Sequence, residues 1–307
     1  MNFSSITPSV QGIFKQYESL RPIYMSEGHF LNQYIWEDYY HTRFATDELA
    51  LYLLIENGKK PGFFAPLCKE EHIPEVFRRM ESYSHEILQN PLRIYLADKP
   101  LVRHLQKSGC LTEKYSITED RDCFDYIYDA DRLRTLSGKI MHKKKNLLNK
   151  FLKEYDGHFQ YETLGPEHVS EIKAFHQKWL DERRVYDKYG CIDDEEEGIF
   201  RLFQHYDALH YKMGGVRIDG KIKAYTIGSY IPDIQCAIIH IEKADVNYTG
   251  LYNYINQQFI LHEFPDAKIV NREDDLGQEN LRQAKLSYRP IRLEEKFTIR
   301  ETCPRTL

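Results

Sequence analysis

Residues whose side chains can hold an ion or pass a proton are concentrated in the last quarter of the 307-residue chain. Asn271, Arg272, Glu273, Asp274 and Asp275 follow directly on the apolar pair Ile269-Val270, so a strand turns polar as it ends. Asp275 stands three residues before Gln278, the spacing of a capping box, which predicts a helix from there to Lys285. Polar strand ends followed at once by a helix N-terminus are where open α/β sheets bind anions or polar substrate groups. A capped helix closing an ordinary domain would account for the caps equally well. On that helix Arg282 and Lys285 are three apart, so they either project together to hold a phosphate or carboxylate, or form a solvated face.

A second group lies in the preceding strand, Cys236 to Glu242. The period of two places Cys236, Ile238, His240 and Glu242 on one face, with the polar pair towards the strand's end. His240 or Glu242 is then a candidate general base. The alternative is a core histidine bonded to backbone, with Glu242 paired to a cation. By the same alternation Asn271 and Glu273 share a face, and Arg272 and Asp274 the other; Glu273 would bind a substrate ammonium or form a structural salt bridge. Further back, Lys139, His142, Lys143, Lys144 and Lys145 make a basic helix suited to tRNA phosphates or anionic lipid heads, or simply to solvent.

These residues have to be held by a regular framework, and its elements are readable. In the first half, strands at 51–55 and 62–67 flank the hairpin signal Asn57-Gly58, followed by a helix (70–88), a strand (92–97), a helix (100–107) and an extended stretch (114–128); a short helix at 32–41 precedes them. The second half has a helix at 139–155 with Ile140, Leu147, Leu148, Phe151 and Tyr155 on its apolar face, then a strand (159–163) and helices from Pro166 to about 183 and at 199–211. A hairpin about Asp219-Gly220, the strand 236–242, a helix at 252–263 capped by Thr249, and a closing strand at 291–299 complete it. Both halves run hairpin, helix, strand, helix, strand. That suggests a duplicated α/β (α+β) fold of mixed sheets flanked by helices, divided within 129–138 into 1–135 and 136–307, the second part carrying the active site.

Composition narrows the function classes. A net charge of −5 argues against a general nucleic-acid coat while leaving room for a local basic patch. No apolar run approaches the length of a membrane helix and the N-terminus lacks a signal pattern, so a cytoplasmic protein is expected. Cys68, Cys110, Cys123, Cys191, Cys236 and Cys303 are scattered without a CxxC pair; they read as packing thiols, and no metal site is expected. GxSxG, HExxH and Walker motifs are missing, which leaves hydrolase, zincin and NTPase readings without support.

The element order is that of the acetyltransferase-like (GNAT) fold. The stretches RDCFDYIYDADRLRTLSGKIMHKKKN, KAYTIGSYIPDIQCAIIHIEKAD and VNREDDLGQENLRQAKLSYRP resemble soluble bacterial proteins related to the C-terminal domain of phosphatidylglycerol lysyltransferase, which are tandem GNAT proteins. The resemblance implies transfer of an acyl or aminoacyl group to an amine or hydroxyl, with aminoacyl-tRNA or acyl-CoA as donor and a small molecule, peptide or lipid as acceptor. Two departures shape that expectation. The membrane helices of the lipid enzymes are not in this sequence, which weakens a lipid acceptor. The glycine-rich pyrophosphate loop of coenzyme A enzymes is replaced by KADVNYTGLYNY, with Gly250 alone, which weakens acyl-CoA. The alternative to an enzyme is a GNAT-like module that senses an aminoacyl or acyl metabolite.

Overall fold

The computed structural model describes residues 1–56, 60–184, 190 and 192–302. The Asn57-Gly58 turn, Cys191 and Cys303 lie outside the described residues. In chain order the first elements are β1 (Ser4–Ser5), α1 (Gln11–Glu18), α2 (Phe30–Ile35), α3 (Glu37–Tyr40), β2 (Thr42–Thr46), β3 (Ala50–Ile55), β4 (Gly62–Phe64), β5 (Leu67–Cys68), α4 (Ile73–Glu86), β6 (Arg93–Asp98), α5 (Lys99–Lys107) and β7 (Tyr115–Glu119). There follow β8 (Asp125–Asp129), α6 (Ala130–Thr135), α7 (His142–Glu154), β9 (Phe159–Leu164), α8 (Val169–Arg183), α9 (Ile192–Gln204), β10 (Lys212–Ile218) and β11 (Lys221–Ile231). The last are β12 (Cys236–Ala244), α10 (Leu251–Glu263), β13 (Ile269–Asn271), α11 (Glu279–Leu286), β14 (Arg292–Glu294) and β15 (Lys296–Glu301).

Local chemistry accounts for many of these boundaries. Every residue of β3, Ala-Leu-Tyr-Leu-Leu-Ile, is buried, as a strand covered on both faces requires. Asp98 accepts the Leu101 N–H to cap α5, and Asp129 accepts the Arg132 N–H to cap α6. Asp219 and Gly220 both adopt positive φ, the tight turn that suits the right-handed twist of β10 and β11.

Two mixed sheets result. The first runs β1-β2-β3-β4-β6-β15-β7, with β5 beside β3; the second runs β14-β8-β13-β12-β11-β10-β9. The sheets do not follow the division expected at 135/136. β8 leaves the first half to pair with β13 and β14 in the second sheet, and β15 returns to lie between β6 and β7 in the first. The extended stretch 114–128 is therefore two strands in different sheets. The closing strand 291–299 is likewise two, with Glu295 alone between them. Hydrophobic alternation is blind to such a step, because it reports burial within each piece and not which sheet the piece joins.

The helices fill both faces of the second sheet. Tyr128, Leu148, Phe151, Ile239, Ile255 and Phe259 form a core under α6, α7 and α10. On α7 only Leu148 and Phe151 are buried, and Ile140, which precedes it, is 59% exposed, so the apolar face is narrower than expected. The other face, through Ile227 and Ile241, joins Ile199 and Leu202 of α9 to Tyr34, Leu51 and Phe64 in a core shared by both halves. α9 crosses α2 at Gly198, where a Cβ would stand 2.0 Å from the Ile35 carbonyl oxygen, so only glycine permits the approach. The halves are packed together along this seam.

Candidate active site

The seam ends at an irregularity in β12. Gly228 pairs with Ile239 and Ile227 with Ile241, so His240 is an extra residue bulged out of the ladder. Gly228 makes the bulge possible: a Cβ there would lie 2.7 Å from the Ile238 carbonyl oxygen. The bulge also breaks the expected alternation. Ile239 and Ala244 belong to the core under α10 and Ile241 to the core shared with the first half, and Glu242 bonds to α10 whereas His240 does not. His240 and Glu242 therefore do not share a face.

Beside the bulge the sheet opens. β13 pairs with β12 only over 236–238 and 269–271. Arg272 then donates its N–H to the Tyr126 carbonyl, and the Glu273 carbonyl accepts the Tyr126 N–H, so the chain follows β8 away from β12. The flank of β12 beyond Ile238 faces this gap.

His240 is held on both ring nitrogens. Nδ1 lies 2.8 Å from Glu273 Oε1 and Nε2 lies 2.9 Å from Ser229 Oγ. With Glu273 ionised and the imidazole neutral, Nδ1 donates to Glu273 and Nε2 accepts the Ser229 hydroxyl. Glu273 Oε1 also takes the Asn32 amide of α2 at 3.0 Å, and the Glu273 N–H donates to Asn271 Oδ1 at 2.7 Å. Asn271 in turn donates to Asp125 at 2.9 Å and to the Tyr24 carbonyl at 2.8 Å. Glu273 has φ +54°, a left-handed conformation costly for a side chain with a Cβ and held here by these bonds. The His240 side chain is 1% exposed and that of Glu273 16%. Ser229 lies in the wall of a cavity of about 520 Å³ lined also by Tyr206, Leu209, Tyr211, Lys212 and Phe264.

The opposite face of the gap carries a second cluster. Glu242 is ion-paired to Arg272 at 2.8 Å and accepts the Asn256 amide at 2.9 Å. The Arg272 guanidinium also lies over the Tyr288 ring at 4.9 Å; burial opposes its charge, and Glu242 more than compensates, so its pKa is raised. The Lys144 ammonium lies over the same Tyr288 ring at 4.2 Å; burial and the Arg272 charge push its pKa down to about 8. Lys144 thus turns inward, whereas Lys139, His142, Lys143 and Lys145 are exposed.

The remaining expected residues are occupied with one another. Asp275 does not cap the helix: Gln278 is the N-cap of α11. Asp275 is buried instead and accepts from Arg282 at 2.8 Å, Arg121 at 3.2 Å and the Tyr126 hydroxyl at 2.5 Å. Burial would raise its pKa, but Arg282 and Tyr126 hold it below the usual range. Arg282 also reaches Asp122, and Lys285 donates to the Arg272 carbonyl at 2.6 Å and to the Asp274 carbonyl. The two cations do not converge on a common anion site; spacing alone cannot reveal such partners.

Sequence reading misses Ser229, Asn32 and a buried ammonium. Lys296, at the start of β15, donates to Glu27 and Asp125 at 2.7 Å each, with Asp274 close by. Burial pushes Glu27 up to about 8 against the opposing pull of Lys296, and Asp274 up to about 6. Asn32 and Glu27 belong to the first half and carry no local pattern. Ser229 stands in a strand in which any small residue would fit. Among the described residues no helix is long and apolar enough to cross a membrane, and Cys68, Cys110, Cys123 and Cys236 are free thiols.

Known proteins agree with this architecture. A protein of unknown function from Bacteroides thetaiotaomicron superposes with a TM-score of 0.90 at 26% identity, covering 98% of this chain and all of that one. L-PGS from Bacillus licheniformis gives 0.66 at 12% identity, over 96% of this chain and 93% of its own. A tandem GNAT protein from the clavulanic acid biosynthesis pathway gives 0.53 at 9% identity over 99% of each chain, which agrees with an acetyltransferase-like fold of two mixed sheets. The family model described as phosphatidylglycerol lysyltransferase, C-terminal, matches residues 19–300, and the chain belongs to that family.

Proposed function

We propose that this protein transfers an aminoacyl or acyl group from an ester or thioester donor to an amine or hydroxyl acceptor at the gap between β12 and β13, with His240 as the general base. The observation that carries this reading is His240 itself. It is bulged from its strand, fixed in one tautomer by a strained Glu273, and has Nε2 turned to Ser229 in a cavity wall. A base must lie within hydrogen-bond reach of the proton it removes, and a fixed tautomer keeps Nε2 ready to receive one. Exposed carboxylates of Asp207 and Asp266 at the cavity rim favour a cationic acceptor, that is, an amine.

The loop between β12 and α10 supports an ester as the donor. There Asp245 accepts the Asn247 N–H at 3.1 Å, and the Tyr248 N–H is bonded to the Asp245 carbonyl. With the Asn247 and Tyr248 N–H groups taken by Asp245, fewer are left to cradle a pyrophosphate, which favours an aminoacyl ester such as aminoacyl-tRNA over acyl-CoA.

The test is transfer from a mixture of aminoacyl-tRNAs and acyl-CoAs to amine acceptors, read by product mass, for the parent and for His240→Ala. The parent is expected to form product and the variant, still folded, to be slower by a factor of about 10² to 10⁴. Ligand binding with no product from any donor would instead support the sensing module.

A further inference from the structure

From the chain of Ser229 Oγ, His240 Nε2, His240 Nδ1 and Glu273 Oε1, at 2.9 and 2.8 Å, we infer that Ser229 is a nucleophile and that transfer runs through an ester on its hydroxyl. This rests on the transferase reading for its donor and on geometry for its nucleophile. A serine alcohol is a weak nucleophile until a base takes its proton, and the base works best when a third group orients it. All three roles are filled here. Ser229 is one of the residues lining the cavity, His240 is the base, and Glu273 is the orienting carboxylate, itself fixed by Asn32. The arrangement comes from β11, the bulge of β12 and the end of β13, so no short motif announces it.

The steps balance without a further reagent. Ser229 Oγ bonds to the donor's carbonyl carbon as its proton passes to His240 Nε2. The carbon–oxygen bond to the donor alcohol then breaks, and His240 returns the proton to the departing alkoxide. The acceptor amine next bonds to the same carbonyl carbon and gives its proton to His240. The Ser229 ester bond breaks, Oγ takes the proton back, and the products are an amide and the free donor alcohol. Glu273 keeps its charge throughout and stabilises the imidazolium.

Diisopropyl fluorophosphate tests the nucleophile without any knowledge of the substrate. The intact mass of the whole protein should rise by one diisopropylphosphoryl group, mapped to Ser229 by peptide sequencing. Glu273→Gln, with unchanged melting, should slow labelling by at least about 10², and Ser229→Ala should abolish both labelling and transfer. A parent that is not labelled, or is labelled elsewhere, overturns the proposal, as does a folded Ser229→Ala that transfers at the parental rate. Direct transfer at the same gap would then stand. Labelling at Ser229 in a protein that transfers nothing would keep the nucleophile and remove the transferase reading instead.

Discussion

Asn32 and Glu273 lie 241 residues apart in the chain and meet through a hydrogen bond of 3.0 Å from the Asn32 amide to Glu273 Oε1. The same oxygen holds His240. One side chain of the first half thus positions the carboxylate that holds His240, the proposed base, of the second, so the cluster belongs to neither half alone.

Removing that support should be visible in rate and in stability. A hydrogen bond to a charged group is worth about 1.5–3 kcal/mol, so Asn32→Ala is expected to lower unfolding free energy by an amount of that order. It should also reduce turnover more than substrate affinity, because it releases Glu273 from its strained conformation. Denaturant titration and steady-state transfer would measure the two, and an unchanged rate would make Asn32 a packing residue only.

The buried Lys296 cluster gives a prediction about pH. The Glu27 carboxyl is raised from 4.5 to about 8, chiefly by burial, so the folded state binds its proton more tightly than the unfolded chain does. The stability this gives is complete below about pH 4.5 and is lost as pH rises through about 8. Glu27→Gln removes that dependence. The difference in unfolding free energy, parent minus variant, should therefore fall between pH 5 and pH 8, as followed by urea titration at a series of pH values.

Removing the cation is a harsher change. Lys296→Met leaves Glu27 and Asp125 buried beside each other without a counter-charge, and breaking a buried pair in this way costs about 3–5 kcal/mol. The variant is expected to melt well below the parent at pH 8 and to recover part of the loss at pH 5, where the carboxylates accept protons. Calorimetry at the two values would show it.

Lys144 has the opposite sign. Its pKa is lowered from 10.5 to about 8, first by burial and then by Arg272, so its contribution is favourable above pH 10.5 and is lost as pH falls through about 8. Lys144→Met should accordingly be more stable than the parent at pH 6 to 7 and lose that advantage at pH 10 and above. Changing the exposed Lys143 and Lys145 to Glu should instead affect polyanion binding, flattening the salt slope for tRNA by about 0.7 for each phosphate no longer neutralised. An unchanged slope would leave this helix face merely solvated.

The strand exchange makes the halves dependent on each other. Residues 1–135 expressed alone would lack β15 between β6 and β7 and would carry β8 without its partners. This fragment is expected to be unfolded by circular dichroism and rapidly proteolysed, and to regain structure when 136–307 is supplied in trans.

Much of this framework is readable from local pattern. The apolar run of β3, the Asp219-Gly220 hairpin and the helix after KADVNYTG are decided by neighbours a few residues away, where periodicity and turn chemistry operate. The site is readable only in part. Asn271, Glu273 and His240 stand out as polar residues in or just after otherwise apolar strands, and the structure brings them together. The bulge that separates His240 from Glu242 depends on Gly228 in another strand, which alternation within β12 cannot show. Arg282 and Lys285 have the spacing of a shared anion site, yet Asp275 and two backbone carbonyls claim them from either side.

The return of β15 to the first sheet also sets an order on the ribosome. β6 and β7 have both been synthesised long before the strand that must lie between them, and until residues 296–301 emerge each keeps an unpaired edge towards that slot. Lys296, the counter-charge for Glu27 and Asp125, arrives with the same strand. The usual sequence, in which an N-terminal unit folds while the rest is still being translated, is therefore closed to this chain. Its first sheet is completed last, and the slot between β6 and β7 stays open while everything between residues 119 and 296 is made.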